Sequence, residues 1–304
     1  MGVRSGVKPK IQGFFQKHIQ AVISPRRVAE FEMKALKFMK WHGLGNDFVI
    51  LDSRGQSPVA TPELVRLIGH RHFGIGFDQL AEILETRDGV QIDFWNADGT
   101  RAGACGNATR CVADYVMAET GNDSLAITTA RGALSARREE TGLVSVNMGQ
   151  PQMDWAEIPL DRDRDILHLP IDGDPVAVGM GNPHCVFFVE DASATEPSDI
   201  GPDVEVHPIF PEKTNVEFAT VRPDGSIRMR VWERGTGITL ACGSGACATA
   251  VAAHLRGLSA RKVNMELDGG WLELDWRDDG VWMTGPTMHV SSGSFTPGFL
   301  SSAK

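Results

Sequence analysis

The sequence predicts an α+β protein of two pseudo-symmetric domains, each a curled, mostly antiparallel sheet around a buried central helix. An Ala-Cys-Gly element occurs twice, at Cys105 and Cys242, 137 residues apart. From Ala246 to Ala253 only Thr249 is neither small nor apolar, so this helix has no polar face and should be buried all round. Several strand-like segments surround each copy without a helix after every strand, which argues against a doubly wound parallel sheet.

The repeat extends beyond the two cysteines. Three more pairs align at a spacing of 136 or 137 residues: Phe94-Trp95 with Val231-Trp232, Gly45-Asn46 with Gly181-Asn182, and Gln79 with Asn215. Four anchors in one order and nearly one register indicate two copies of one unit. A pseudo-twofold relation would place the active site in the cleft between them.

This repeat sets the expected domain boundaries. Residues 1–35 are basic and show no sustained periodicity, so we expect a flexible N-terminal extension, with Met33 or Met39 as alternative true starts. The first domain should cover residues 36–150, with a C-terminal strand over 287–300 as a candidate further part. The second domain should cover residues 151–286.

The first domain should begin with two strands, KFMKWH and FVILD, joined by a loop after Gly43. Thr61, Pro62 and Glu63 supply a cap, a first-turn proline and a first-turn acid, which predicts a helix to about His70. QLAEILE and VQIDFWN predict strands that lead into the Cys105 helix, which Gly121 should end. Three further strands are expected around Leu125–Thr129, Ala133–Arg138 and Leu143–Met148.

The second domain should repeat this order after a charged crossing segment from Pro151 to Pro170. The loop-rich stretch before Asn215 predicts no regular element, and the second helix should end near Leu255. The strands of the second domain are expected near Val176 and over Cys185–Val189, Asn215–Val221 and Ile227–Trp232. Three later strands are expected in VNMEL, WLELDW and VWMTG.

Composition narrows the functional classes. The 304 residues are 42% hydrophobic and 23% charged, which is typical of a globular protein with room for two cores. The formal net charge of −9 argues against nucleic acid or an anionic membrane as the main partner. The sequence shows neither a long apolar span nor a signal peptide, so we expect a cytoplasmic protein. Five cysteines, an odd number, favour reduced thiols over a disulfide framework.

Three ordinary interpretations of the two repeated cysteines can be weighed. Free cysteines are most often core residues, which suits Cys111, Cys185 and Cys247. A zinc site would need cysteines five or six residues apart in one helix to converge, which helix geometry prevents. The sequence from Gly243 to Ala248 matches the G-x-G-x-x-A pattern of dinucleotide-dependent oxidoreductases, but Ala108 replaces the second glycine in the first copy.

The duplication supports a fourth interpretation. Both Cys105 and Cys242 precede a glycine at a helix N-terminus, where the helix dipole and free amides favour a thiolate. A pseudo-twofold would place the two thiols on opposite sides of a cleft. Inversion of a C–H stereocentre needs this layout, because one group removes the proton and another delivers a proton to the opposite face.

Eight ordered motifs, over about Leu36 to Ser294, resemble the diaminopimelate epimerase family: KWHGLGNDFVILD, GFDQ, NADG, CGN, MGNPHCV, HPIFPEKTNVEF, WERG and ACGSGACA. The chain departs from the family at Ala108-Thr109, where CGNGAR is common. The resemblance implies an isomerase that interconverts LL- and meso-2,6-diaminopimelate without a cofactor or a metal, in lysine and cell-wall precursor biosynthesis. A cofactor-independent racemase of another amino acid is the alternative.

The resemblance also implies the site residues. Catalytic roles fall to Cys105, Cys242, His184 and Glu233. Substrate binding falls to Asn46, Gln79, Asn96, Gly106, Asn107, Asn182, Asn215, Glu233, Arg234, Gly243 and Ser244. Taken alone, an asparagine such as Asn46 is typical of a turn, and Glu233-Arg234 is typical of a surface ion pair. The implied partner is the small-molecule substrate, and a homodimer is a candidate assembly.

Overall fold

The computed structural model of the protein describes residues 35–303. The predicted N-terminal extension, except residue 35, and the alternative start Met33 fall outside this range, whereas the alternative start Met39 lies within it. The described residues divide into a body from Phe38 to Ser292 and a short unit that includes residues 293–303. None of the helices within residues 35–303 is long and apolar enough to cross a membrane.

The first half of the body contains the elements that the sequence predicts. They are β1 (Leu36–Gly43), β2 (Asn46–Asp52), α1 (Pro62–Gly69), β3 (Gln79–Thr86), β4 (Gly89–Asn96), β5 (Arg101–Ala102), α2 (Gly106–Thr120), β6 (Ser124–Thr129), β7 (Gly132–Arg138) and β8 (Val144–Asn147). Thr61 caps α1 by accepting a hydrogen bond from the Leu64 amide, and Gly121 ends α2 in the left-handed region at φ 70°. Both helix boundaries are therefore confirmed, whereas the two-residue strand β5 was not predicted.

The second half repeats the series element for element, including one helix that the sequence did not predict. Its elements are β9 (Val176–Gly179), β10 (Pro183–Phe188), α3 (Pro197–Glu205), β11 (Asn215–Val221), β12 (Ile227–Glu233), β13 (Gly237–Ile238), α4 (Gly243–Leu255), β14 (Lys262–Leu267), β15 (Gly270–Arg277) and β16 (Gly280–Gly285). The prediction of no regular element before Asn215 was wrong at α3, which starts with Pro197 in its first turn. The predicted end of α4 at Leu255 is confirmed.

The pairing of strands is the same in both halves. In the first half β2 is parallel to β3, β3 is antiparallel to β4, β4 is parallel to β6, and β6, β7 and β8 form an antiparallel series. In the second half β10 is parallel to β11, β11 is antiparallel to β12, β12 is parallel to β14, and β14, β15 and β16 form an antiparallel series. The halves join where β8 pairs antiparallel with β16. Two repeated α+β halves with mostly antiparallel strands are thus confirmed.

Each half is built around its long helix. Residues Ala108 to Met117 of α2 pack into a core with strand residues such as Phe48 and Ile83. In α4 every residue from Gly245 to Ala253 is buried, and this helix packs against the strands of the second half. Because α4 carries almost only small side chains, the surrounding sheet can approach its backbone closely.

The segment between the halves has its own packing. Ile158, Leu160 and Leu169 join a third core with residues of β10 and β11. Within that core the rings of Phe187 and Phe218 stack with centroids 5.5 Å apart. The predicted crossing segment is therefore also a layer that covers a face of the second sheet.

The C-terminal part of the described chain contains β17 (Met288–Phe295) and a single-turn helix α5 (Pro297–Leu300). Thr296 caps α5 by accepting a hydrogen bond from the Phe299 amide. The ring of Phe299 stacks on Phe295, with centroids 5.4 Å apart. Whether this strand completes the first domain stays a prediction.

Candidate active site

Each repeated cysteine is the N-cap of its helix. Cys105 and Cys242 have extended backbones, with φ of −149° and −114°. The sulfur of Cys105 accepts a hydrogen bond from the Ala108 amide at 3.5 Å, and that of Cys242 accepts one from the Gly245 amide at 3.4 Å. A thiol thus takes the capping place that a serine or aspartate oxygen usually fills, which fixes both sulfurs at the helix starts.

The two helix starts are in direct contact across the halves. The side-chain amide of Asn107 donates hydrogen bonds to the carbonyl oxygen of Ala241 and to Oδ1 of Asn46, both at 3.2 Å. Cys105 Sγ lies 3.8 Å from the same oxygen of Asn46. The predicted approach of the two helix N-termini is therefore present in the structure.

Both cysteines line one cavity of about 1040 Å³. Every predicted site residue except His184 lines it: Asn46, Gln79, Asn96, Cys105, Gly106, Asn107, Asn182, Asn215, Glu233, Arg234, Cys242, Gly243 and Ser244. His184 is fully buried behind the cavity wall. Cavity residues that the sequence reasoning missed include Arg131, Met148 and Thr239.

Several of the predicted binding amides are already held by protein groups. Asn215 donates to the Pro183 carbonyl at 2.9 Å and accepts from the Arg234 amide at 3.0 Å. Gln79 donates to Asn96 at 3.2 Å. Asn215 thus positions Arg234 in addition to any direct role in binding.

The glycines that follow the cysteines border on methionines. A Cβ added to Gly106 would lie 2.7 Å from Cε of Met283 and 2.9 Å from Cε of Met148, and one added to Gly243 would lie 3.2 Å from Met283 Cε. A glycine at each of these positions leaves the backbone open to close approach by an anion. The structure adds a packing reason, since Met283 lies close to both helix starts.

A buried acid that the sequence reasoning missed lies beside Cys242. Glu217 is fully buried, and its Oε1 lies 2.7 Å from Nδ1 of His184. A Cβ added to Gly245 would lie 2.6 Å from Oε1 of Glu217 and 3.3 Å from Sγ of Cys242. Only a glycine fits between the acid and the thiol, so the carboxylate lies close behind Cys242.

The first half lacks this acid and histidine. His184 stands opposite Asn215 in the sheet, and the equivalent residue opposite Gln79 is Phe48. By the same register Glu217 corresponds to Ala81, a core residue with no exposure. The two thiols therefore have unlike surroundings, because the buried His184–Glu217 pair lies only on the Cys242 side.

Burial governs the acidity of both thiols in the ligand-free protein. It raises the pKa of the Cys105 thiol to about 12, although the Ala108 amide lowers it. Burial and the negative charges of Glu233 and Glu217 raise the pKa of the Cys242 thiol well above its usual range. The sequence reasoning counted only the helix amides, which favour a thiolate, and the structure shows that loss of solvent outweighs them.

Glu233 lines the cavity beside Cys242. Burial raises the pKa of its carboxyl group, against a hydrogen bond that Thr239 Oγ1 donates to Oε1 at 2.5 Å. Its Arg234 neighbour instead donates from Nη1 to the Glu212 carbonyl at 2.9 Å. These two neighbours do not form the surface ion pair that is typical of such a sequence, and both line the cavity as predicted. Residues 35–303 contain no group of three His, Cys, Asp or Glu side chains arranged to hold a metal ion.

Comparison with known proteins shows the family of this chain. A family model described as diaminopimelate epimerase matches residues 38–154 and 176–290. The chain belongs to the diaminopimelate epimerase family. A relative of that name from Rhodospirillum centenum is 47% identical over 273 residues, covering 87% of this chain and 94% of the relative. Another from Nostoc punctiforme is 42% identical, covering 85% of this chain and 99% of the relative.

Solved structures outside the diaminopimelate epimerase family share the fold. A phenazine biosynthesis protein of the PhzF family from Bacillus anthracis has a TM-score of 0.63 at 15% identity, covering 86% of this chain and 99% of that chain. A hydroxyproline epimerase from Agrobacterium vitis, with bound trans-4-hydroxy-L-proline, has a TM-score of 0.63 at 14% identity, covering 88% and 94%. At these identities the likeness shows the fold alone.

The departure from the diaminopimelate epimerase motif is accommodated within α2. Ala108 is fully buried in the core of the first half. Thr109 is also buried, and its hydroxyl donates to the Cys105 carbonyl at 2.8 Å. The substitution therefore leaves the cap and the start of the helix intact.

Proposed function

We propose that this chain interconverts LL- and meso-2,6-diaminopimelate by two-base proton transfer between Cys105 and Cys242. The observation that carries the proposal is the placement of both cysteines as N-caps of two touching helix starts on one cavity, in a chain of this family. A single base would return the proton to the face it came from. Two thiols on one cavity provide a base and an acid for opposite faces of the reacting carbon.

The reaction needs a thiolate and a thiol in each turnover. The thiolate takes the α-proton, so that a C–H bond breaks and an S–H bond forms, and the electron pair stays on the α-carbon. The other thiol then gives its proton to the opposite face of that carbon and becomes the thiolate. The two cysteines exchange roles when the reaction runs in the other direction, and their titrations are coupled.

The helix starts supply stabilisation for the carbanion. The first amides of an α-helix have no acceptor within the helix, and here they belong to Gly106-Asn107 and Gly243-Ser244. We expect them to bind the α-carboxylate of the substrate and to stabilise the negative charge that develops on it. We propose that no cofactor takes part.

Substrate binding is expected to lower the thiol pKa values that burial raises. The α-ammonium group brings a positive charge between the thiols, and an opposite charge favours the ionised form. Cys105 lacks the nearby Glu217, so we expect it to ionise before Cys242. His184 and Glu233 are proposed to orient and tune Cys242.

The distal end of the substrate carries a second carboxylate and a second ammonium. Arg234 is proposed to bind the distal carboxylate with its planar guanidinium. The amides of Asn46, Gln79, Asn96, Asn182 and Asn215 are proposed to complete the binding site, because amides satisfy either charge without adding one. We further propose a role in lysine and cell-wall precursor biosynthesis, a cytoplasmic location and a homodimeric assembly.

Proton exchange tests this function directly. Purified protein is incubated with LL-diaminopimelate in D₂O without added cofactor, and NMR follows the α-proton signal while chiral chromatography follows the meso isomer. We expect deuterium to enter the α-position as the meso isomer forms. A Cys105→Ala, Cys242→Ala double variant is the control and should leave both signals unchanged.

The same assay separates the alternative function. L-Proline and trans-4-hydroxy-L-proline are offered in parallel, because a hydroxyproline epimerase shares the fold. Exchange with either of these and none with diaminopimelate would favour a racemase of another amino acid and overturn the proposal.

A further inference from the structure

Four arginines line the cavity, and two of them are neutralised by acids. Arg71 forms ion pairs with Asp47 at 2.9 Å and Asp78 at 2.7 Å. Arg101 pairs with Asp93 at 2.6 Å, and its guanidinium also lies 3.7 Å from the centroid of the Trp95 ring. Their charges are thus compensated within the protein.

The other two cavity arginines, Arg131 and Arg234, form no ion pair with any residue from 35 to 303. Arg131 donates from Nη1 to the Met180 carbonyl at 3.3 Å and to Asn182 Oδ1 at 3.1 Å. Arg234 donates to the Glu212 carbonyl. These neutral acceptors position the two guanidinium groups and leave their charges uncompensated.

The backbone around Arg131 leaves space for its side chain at the cavity. The residue lies in the tight turn between β6 and β7, where its amide donates to Thr129 Oγ1 at 3.2 Å. A Cβ added to Gly103 would lie 2.9 Å from Nε of Arg131, and one added to Gly181 would lie 2.9 Å from Nη1. A turn of the first half thus reaches across the cavity to the second half, between two positions that lack side chains.

The electrostatics of this pair favour an anion. Partial burial and the positive charge of Arg234 lower the pKa of the Arg131 guanidinium. Two cations that repel each other beside a cavity are stabilised when a carboxylate binds between them, and the guanidinium fork suits a carboxylate in two-bond geometry. The reacting carboxylate is expected to bind at the two helix starts. The second carboxylate of a dicarboxylic amino acid is therefore available to bind the two arginines.

We infer that Arg131 is a specificity residue that binds the distal carboxylate of the substrate together with Arg234. This inference rests on the proposed function. It predicts that the site selects diaminopimelate over amino acids with one carboxylate through two arginines, one from each half of the body. Arg131 comes from a β-turn outside the cysteine, asparagine and WERG motifs.

Steady-state kinetics of matched variants test the inference. Arg131→Gln keeps a donor for the Met180 carbonyl and removes the charge, and Arg131→Lys keeps the charge and removes the fork. Arg101→Gln is the control, because Arg101 also lines the cavity but is paired with Asp93. We expect Arg131→Gln to raise KM for LL-diaminopimelate about tenfold, with a smaller change in kcat. The KM of Arg131→Lys should lie between those of the wild type and Arg131→Gln, and the KM of Arg101→Gln should match that of the wild type.

Selectivity separates carboxylate binding from a structural role. L-Lysine is diaminopimelate without one carboxylate, so its inhibition constant should be the same in the wild type and in Arg131→Gln. A general distortion of the cavity would weaken both ligands equally and would overturn the inference. An unchanged KM for diaminopimelate in Arg131→Gln would overturn it as well.

Direct binding keeps this test separate from the proposed function. Pimelate has two carboxylates and no amine, and its affinity can be measured by calorimetry whether or not the protein epimerises diaminopimelate. We expect Arg131→Gln to weaken pimelate binding about tenfold relative to Arg101→Gln. Loss of wild-type epimerase activity with this difference intact would reject the proposed function and retain the arginine pair. Equal pimelate affinities would reject the pair.

Discussion

The side-chain amide of Asn107 donates a hydrogen bond of 3.2 Å to the carbonyl of Ala241, the residue before Cys242. Asn107 is itself two residues after Cys105 and almost fully buried. One side chain therefore links the start of the first helix to the backbone that carries the second thiol. The spacing of the two sulfurs is set by the backbone of the fold, as a proton transfer between opposite faces of one carbon requires.

Replacement of either cap cysteine should abolish epimerisation. Cys105→Ala and Cys242→Ala should each lower kcat by about 100-fold or more, because each removes one acid/base group. Serine at either position should be nearly as damaging, since its hydroxyl is far less acidic. Cys247→Ala is the control, because Cys247 is buried in the same helix as Cys242 and should retain most activity. Circular dichroism checks that all variants fold.

Each single variant should still exchange the α-proton on one face of the substrate carbon. The remaining thiolate can remove the α-proton that faces it and return a solvent deuteron to the same face. We therefore expect Cys105→Ala to exchange the α-proton of one epimer and Cys242→Ala to exchange that of the other, in both cases without inversion. Wild-type-like epimerisation in either alanine variant would contradict the two-base mechanism.

The raised thiol pKa values predict slow alkylation of the ligand-free protein. Because the pKa of Cys105 is raised to about 12 from an ordinary value of 9.0, little thiolate is present at neutral pH. The rate of modification by iodoacetamide should rise about tenfold for each pH unit between pH 7 and pH 10. Cys242 should react more slowly than Cys105, because Cys242 is buried whereas Cys105 is partly exposed.

Peptide mapping by mass spectrometry gives both rates, with a model thiol of ordinary pKa as the reference. A rate for Cys105 that levels off below pH 8 would show a resting thiolate. In that case the helix amides would outweigh burial, as the sequence alone led us to expect.

The helix starts could be predicted because their signals are local. The Ala-Cys-Gly repeat, the small residues of α4 and the glycine after α2 act within one or two turns of the chain. The repeat spacing then placed the equivalent strands of both halves. Helix α3 was missed although the repeat spacing places it, since α1 (Pro62–Gly69) moved by 136 residues falls within Pro197–Glu205.

The missed site residues depend on contacts between halves or strands. Arg131 lies in a turn whose sequence, Ala130-Arg131-Gly132, carries no chemical signal until the fold brings it to Asn182. Glu217 carried a weak signal, since an acid between Val216 and Phe218 interrupts a buried strand. The role of Glu217 became evident only from the fold, because the neighbouring strand places His184 next to it.

The His184–Glu217 pair should support turnover more than folding. Glu217→Gln replaces the carboxyl group that lies 2.7 Å from Nδ1 of His184 with an amide and should lower kcat about tenfold or more, because it weakens the contact that holds the imidazole. KM should change less, since Glu217 does not line the cavity. Glu82→Gln is the matched control in the first half, where Glu82 is equally buried and accepts from Ser53 at 2.6 Å. Equal kcat losses in both variants would show that the loss reflects general destabilisation.

The buried carboxyl of Glu233 should destabilise the folded protein above acidic pH. Burial raises its pKa above the ordinary value of 4.5. Below that ordinary value both the folded and the unfolded chain carry the proton, so the carboxyl costs nothing. As the pH rises through the folded pKa, the folded chain must hold a buried charge that the unfolded chain exposes to water, and stability is lost.

Glu233→Gln removes this charge and keeps an acceptor for Thr239, so its Tm should match the wild type at pH 4 and exceed it by roughly 2 °C or more at pH 8. Its epimerase activity should fall, because a stabilised but inactive variant is the expected result of replacing a buried functional group.

Glu205→Gln provides a control of opposite sign. Burial raises the pKa of Glu205, but hydrogen bonds from the Trp232 indole and the Gly235 amide lower it below its usual range overall. That carboxylate therefore stabilises the fold above its unfolded pKa, and Glu205→Gln should have a lower Tm than the wild type at pH 8. Calorimetric scans of the three proteins at both pH values measure these differences, and a lower Tm for Glu233→Gln at pH 8 would mean that the ionised carboxylate stabilises the site.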